Sequence, residues 1–511
     1  MHLSLLDFMV IAAYLLGLSL VGFYFSKQQT SEAAYFLGNR RLPWPVVGLS
    51  VMASLISTLT YLSLPGEMIA YGTGYFYSVI ALILVIPLVT RLIIPALRQL
   101  PVTTVYEYFD RRYGPVTRSV SALVFIFSRL LWMSLIIYTA SFAVHQMTAW
   151  DIRMIVLVIG VVTTVYTTAG GMTAVVWTDC VQGVMLLAGA VFVPVYIALL
   201  TNSDPSVWWS TFSQAGRAEA PVFSWDITVR ITVVGIVLND FVWSACTHGG
   251  DQLAVQRYLS TASVESARRS VWMFSVTVVA LILLLGLVGL ALFYFEYQQA
   301  GAPLPTFADE VAARADGVFP EFIAEQLPRG VSGLLLGAIL SAAMSSLSSG
   351  INSICTVIIT DFVNRNRKQA TGEQNMKPVK ITAFSVGVLG IAAALVVSAV
   401  MQSESVRWNL VEMMIRLSTL FVAPLGVLFL AGVLFRRVSA PAALAGFVAG
   451  SLCSILVAFR GQIFQSDDNI SFTWIMPFSF IVSILVTFLA SFVFAPPSPS
   501  QLAELDAASD K

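Results

Sequence analysis

Charge is scarce in this chain of 511 residues. Only 11% are Asp, Glu, Lys or Arg, against 57% hydrophobic residues, whereas soluble domains carry about 25% charged and about half apolar residues. With a mean hydropathy of +0.83 such a chain would not stay dissolved in water, so the bilayer is its expected solvent. The 28 basic and 28 acidic residues balance, which removes the electrostatic footprint of a nucleic-acid binder. Cysteine is nearly absent. Cys180, Cys246, Cys355 and Cys453 lie far apart inside apolar stretches with no CxxC spacing, so neither a disulfide framework nor a zinc site is expected. Histidine is limited to His2, His145 and His248, and neither HExxH nor GxSxG occurs; a polytopic enzyme would need such a constellation. The repeated rings of a channel filter are missing as well.

Long apolar runs are what the chain has instead. A crossing helix needs about 20 such residues. Candidates lie near 3–25, 44–71, 75–97, 117–148, 152–169, 174–200, 228–248, 270–296, 330–363, 379–401, 407–435, 440–460 and 471–494. These predict an all-α integral membrane protein with about 13 transmembrane helices. Met1–Val10 lacks a basic n-region and Asp7 interrupts it, so the first segment is expected to remain as a helix and not to be cleaved. Most Lys and Arg fall in alternate loops, such as Lys27, Arg40 and Arg41, then Arg257, Arg268 and Arg269. Cytoplasmic loops collect basic residues, which places the N-terminus outside and the C-terminus, with a tail over 495–511, in the cytoplasm. A plasma membrane, as in a bacterial inner membrane, is the expected location, and a monomer the expected state.

The second to sixth spans, 44–200, form one set of five, and the seventh to eleventh, 228–435, another of opposite sense. One extra helix (1–25) precedes them and two (440–494) follow. Inverted repeats bind substrate and ion near mid-membrane beside interrupted helices, and the first helix of each set is interrupted. Ser57, Thr58, Thr60, Ser63, Pro65 and Gly66 crowd one; Asn239, Asp240 and Thr247–Gly250 crowd the other. Either cluster alone would equally mark an ordinary helix end or kink.

Two stretches point to cation chemistry. In Ser341–Gly350, four serines fall in five positions. At about 100° per residue, Ala342, Ser345 and Ser346 share one face and Ser345, Ser348 and Ser349 an adjacent one. Hydroxyls and freed carbonyls are the hard oxygen ligands that sodium takes without burying excess negative charge; close helix packing is the competing use of small residues. Asp179 lies inside the end of a span with no basic residue near it in sequence. An intramembrane carboxylate is a functional candidate by default, the alternatives being a helix cap or a snorkelling side chain.

Gly170–Gln182, the serine cluster, Asp251–Leu259, Tyr35–Arg40 and Thr104–Phe109 together resemble the sodium:solute symporter family, in order, from about residue 4 to 494. The resemblance implies a LeuT-type fold with a 5+5 inverted repeat and alternating access driven by sodium, with lipid, sodium ions and a small solute as partners and Na+ as the ion bound. It implies a first sodium site from Ala53, Ile56, Ala342, Ser345 and Ser346, and a second from Asp179, Ser345, Ser348 and Ser349. Ser57–Gly66 is similar to the sialic acid and monocarboxylate branches, which implies substrate contacts at Ser57, Thr60, Ser63 and Arg129. Tyr61, Tyr75, Trp132 and Trp243 are candidates to line the pocket, with plain packing the commoner use of aromatics within spans. A carboxylate solute fits Arg129, since a guanidinium matches a carboxylate bidentately. Another register places Trp132 at the arginine position, and Arg129 would then pair structurally, with a carbonyl or with Glu67. A proton-coupled carrier, or a sugar or polyol symporter of the same fold, is the alternative; Leu59 and Thr60 argue against a glucose-like site.

Overall fold

The computed structural model describes residues 4–98, 102–218, 220–365, 376–401, 415–464 and 470–498. Those residues are helical, with no β-strand beyond one isolated bridge between Leu42 and Thr261. Helix α1 is Leu5–Ser26. A broken pair follows, α2 (Trp44–Leu55) and α3 (Thr58–Tyr71), then α4 (Pro115–Thr148) and α5 (Ile152–Thr201). A second broken pair is α6 (Val233–Gly250) and α7 (Gln252–Leu259), followed by α8 (Val264–Ala300) and α9 (Val331–Val357). Large apolar side chains such as Leu16, Leu20, Phe23, Val191 and Val195 point outward, as a lipid-facing surface requires.

Ten described helices are long and apolar enough to cross a bilayer, or eleven if the bent pair counts as one span. The thirteen expected from hydropathy differ for physical reasons. The expected segments 152–169 and 174–200 are the two halves of α5, counted together as one span. It is broken at Gly171, whose φ of 55° suits glycine; a Cβ there would stand 2.8 Å from Tyr35 Cδ2 and 3.0 Å from Tyr35 O. Segment 228–248 becomes α6, where Asn239, Asp240, Thr247 and His248 dilute the apolar content. Residues 402–414, including part of the expected 407–435 span, and 499–511 of the expected tail lie outside the described residues.

Helix α9 sits at the centre. Nearly all of it is buried, and it packs against α1, α2, α3, α4, α5 and α7. Its serines and glycines permit that many neighbours, because small residues let backbones approach. Asp7 helps fix its start: Asp7 Oδ1 accepts from Gly330 N (2.7 Å) and Gly333 N (2.8 Å), a carboxylate on the orphan N–H groups of a helix N-terminus. Helices Pro205–Gln214, Leu304–Ala313 and Ala315–Glu325 cap one end of the bundle, where Arg217 donates to Ala70 O (2.8 Å) and Ala308 O (2.9 Å).

Candidate functional site

Two helix breaks build the site. Between α2 and α3, Ile56 (ψ 107°) and Ser57 (ψ 165°) are extended, and the halves meet at 68°. Ser57 Oγ accepts from Thr60 N at 3.4 Å, capping α3. Between α6 and α7, Asp251 is extended (φ −100°, ψ 118°) and its Oδ1 accepts from Leu253 N at 2.9 Å, the same device at the second break.

The end of α2 leaves carbonyls without helical donors, and the serines of α9 reach them. Ser345 Oγ stands 2.8 Å from Ala53 O and 3.1 Å from Ala342 O, and Ser346 Oγ donates to Ser54 O at 3.1 Å. Ala53, Ala342, Ser345 and Ser346 therefore come together at the negative end of a helix dipole, which favours a cation. Ile56 lies at the break beside them, its carbonyl past the last turn of α2.

A second cluster centres on Asp179, which is fully buried. Its Oδ2 accepts from Ser50 Oγ (2.7 Å), Ser54 Oγ (3.0 Å), Arg257 Nη2 (2.9 Å) and, more weakly, Ser349 Oγ (3.4 Å). Arg257 also donates from Nε to Ser50 Oγ (2.8 Å), from Nη1 to Leu253 O (2.8 Å) and from Nη2 to Ser349 Oγ. Asp179 Oδ1 has no partner among the described residues. Ser348 Oγ instead donates within its own helix, to Ser345 O at 3.0 Å. Arg257 corrects its assignment to a loop: it is 1% exposed, and it is the basic partner that Asp179 lacks in sequence. Ser50 and Ser54 complete this cluster unforeseen; their spacing of four, on the helix that ends at the break, was the available signal.

A cavity of about 150 Å³ lies where the two breaks meet. Ser57, Thr60, Arg129, Trp132, Trp243 and Asp251 line it. The Arg129 guanidinium sits 4.4 Å from the Trp132 ring centroid and is ion-paired with Asp251. Both registers considered for the arginine therefore bring their residue to the same cavity, one turn apart on α4. Pairing with Glu67 is ruled out, since Glu67 is held by Arg230 through Nη1–Oε1 (2.5 Å) and Nη2–Oε2 (3.0 Å). Ser63 and Tyr75 do not line this cavity. Ser63 faces a larger one of about 550 Å³ toward the capped end of the bundle, with Glu67, Arg314 and Asp316. Tyr75 faces a third beside Glu67 and Arg230. Leu59 lines both the small and the large cavity, one side chain thick between them. Burial, and then the Glu67 carboxylate, push the Asp316 carboxyl above the usual range.

Comparison with known proteins accords with this geometry. A sequence model described as "Sodium:solute symporter family" matches residues 35–450. The chain is 29% identical over 473 residues to the sodium/sialic acid symporter SiaT of Proteus mirabilis, covering 91% of each. It is 30% identical to the sodium/sialic acid symporter NanT of Aliivibrio fischeri, covering 88% of this chain and 87% of that one. Against sodium-coupled monocarboxylate transporter 1 of Mus musculus it is 28% identical, covering 90% and 74%. A solved structure of a Na+-coupled sialic acid symporter in a substrate-bound, outward-open state superposes with a TM-score of 0.84 at 26% identity, over 97% of this chain and 99% of that one.

Proposed function

The chain belongs to the sodium:solute symporter family, and from that premise we propose how its own residues carry ions and solute. It is a sodium-coupled secondary transporter with a LeuT-type fold. The solute is a small organic carboxylate, bound in the 150 Å³ cavity between the two helix breaks. One observation carries this reading: Arg129, 9% exposed within the bundle, presents its guanidinium to that cavity against the Trp132 face. A buried guanidinium is a strong, directional receptor for a carboxylate. The sialic acid and monocarboxylate specificities of the relatives agree with an acid as cargo. Ser57 and Thr60 supply hydroxyls to the same cavity; Ser63 and Tyr75 meet the solute on its way in.

The first sodium ion replaces the Ser345 and Ser346 hydrogen bonds at the end of α2, taking the carbonyls of Ala53, Ile56 and Ala342 and both hydroxyls. The second binds at Asp179, Ser345, Ser348 and Ser349. The first site shares the break with the solute cavity, so filling either one fixes the conformation that the other needs, which is coupling in its thermodynamic sense. Residues 44–200 and 228–435 act as inverted five-helix halves, with 1–25 before and 440–494 after them. The basic loops put the N-terminus outside and the C-terminus inside. The 550 Å³ cavity is then the outer vestibule and Leu59 the layer that closes it. The protein works as a monomer in the plasma membrane, each chain holding both breaks and a complete cavity.

Binding of an acid and its uncharged amide to purified protein in sodium tests the carboxylate reading. The acid is expected to bind at least tenfold more tightly, and Arg129→Lys to abolish most of that difference. Equal binding of acid and amide by the unmodified protein would overturn it.

A further inference from the structure

Arg129 does not face the solute cavity as a free positive charge. Asp251 lines the same cavity and is ion-paired with it, so the pocket presents a matched pair of opposite charges. The two come from different elements, Arg129 from α4 and Asp251 from the break between α6 and α7. Asp251 divides its labour: Oδ1 caps α7 through Leu253 N, while Oδ2 faces Arg129. Among the described residues, Arg129 is the one cationic side chain lining the cavity and Asp251 the one carboxylate.

Three classes of solute meet that pair differently. A neutral solute leaves it intact and draws little from it. A monoanion must displace Asp251 from Arg129, and a buried carboxylate stripped of its partner is strongly unfavourable. A zwitterion enters between them, exchanging one internal ion pair for two: carboxylate to Arg129, cationic group to Asp251. A sodium ion beside the break attracts the carboxylate of anion and zwitterion alike, so Asp251 is what separates them. The volume adds a size limit. An apolar cavity of about 150 Å³ holds a molecule such as benzene, so this one suits roughly six to ten non-hydrogen atoms, well short of a nine-carbon sugar acid. Resting on the carboxylate reading above, we infer that the preferred solute is a small zwitterion, an amino or quaternary-ammonium acid, with Asp251 as the residue that selects its cationic group.

The test is equilibrium binding to purified full-length protein in saturating sodium, using matched sets on one carbon frame. One set is 2-aminobutyrate, 4-aminobutyrate, butyrate and butyramide; another is proline, cyclopentanecarboxylate and cyclopentanecarboxamide; N-acetylneuraminate is measured beside them. Within a set, a zwitterion is expected to bind at least tenfold more tightly than the anion. Asp251→Asn keeps an oxygen for the α7 cap but removes the charge, and is expected to bring the zwitterion-to-anion ratio to within about twofold of one. A ratio unchanged in Asp251→Asn would overturn the role of Asp251. Anions binding as tightly as zwitterions, or N-acetylneuraminate binding alone, would overturn the inference and leave the carboxylate reading standing. Neutral amides binding as tightly as the zwitterions would overturn both. Failure of every compound in the two sets would overturn the size and charge class together. The affinity order in the unmodified protein decides even if Asp251→Asn does not fold.

Discussion

Ser345 is the hydroxyl on which most of the proposed ion chemistry converges, because its Oγ lies between Ala53 O and Ala342 O. Ser348, three residues on, spends its proton on Ser345 O within the same helix. The two serines look alike in sequence and differ only in what faces them. Ser345→Ala is expected to raise the sodium concentration for half-maximal uptake about tenfold, or about 1.4 kcal/mol, and Ser348→Ala less than about threefold. Equal, negligible shifts in a sodium titration of uptake would refute this ordering. Arg257 carries a stability prediction. Removing one partner of a buried ion pair costs about 3–5 kcal/mol because the other charge is left uncompensated. Arg257→Gln is therefore expected to lower the thermal midpoint in detergent sharply, and the double variant with Asp179→Asn to recover most of the loss. If the double variant were no more stable than the single one, the pair would not be what holds this cluster. Sequence shows the serine cluster directly, as four hydroxyls in five positions, and shows Asp179 as a lone acid. It does not show Arg257 as the partner, since 78 residues separate them and a basic residue near the end of a span reads as a loop charge.

At the scale of elements, the helix breaks are readable and the helix count is not. Polar and turn-forming residues crowd Ser57–Gly66 and Thr247–Gly250 against apolar surroundings; the backbone extends at Ser57, which opens the first cluster, and at Asp251, just past the second, while the rest of both is helical. Hydropathy separates 152–169 from 174–200 where the backbone does break, at Gly171, whereas a buried helix such as α6, rich in polar groups, is not counted among the long apolar helices. Gly171 itself is testable. Gly171→Ala meets both an unfavourable positive φ, about 1–2 kcal/mol, and a clash with Tyr35. Gly114→Ala meets the φ of 94° with open space around it. Thermal unfolding should show a clearly larger loss for Gly171→Ala; equal losses would mean the Tyr35 contact adjusts freely. The Glu67–Arg230 pair links α3 to the segment leading into α6, tying the two broken helices together. Glu67→Gln removes the charge-assisted pairing, about 1–2 kcal/mol, and is expected to speed reaction of a cysteine at Ser63 with a water-soluble thiol reagent about tenfold. An unchanged rate would show that this pair does not hold the vestibule closed.

For the whole molecule, composition is enough to place the chain in a bilayer, because so apolar a surface has no other solvent. The proposed direction of the loops and the proposed pairing of two five-helix halves rest on charge asymmetry and repeat order, which are properties of long stretches. The proposed solute cavity is the opposite case. It is assembled from α4, both breaks and the helix around Ser418, so no single stretch contains it, and the Arg129–Asp251 pairing joins residues 122 positions apart in the chain. Coupling belongs to the whole molecule as well, since it requires ion and solute to share one conformational equilibrium. Its most direct measurement is the reversal potential of solute-dependent current in proteoliposomes under imposed sodium and pH gradients. A reversal that moves with the sodium gradient and stays fixed when only pH is changed, from about 6 to 8, is expected, with Asp179→Asn lowering the number of sodium ions moved per solute. A reversal that follows the pH gradient and ignores sodium would contradict it.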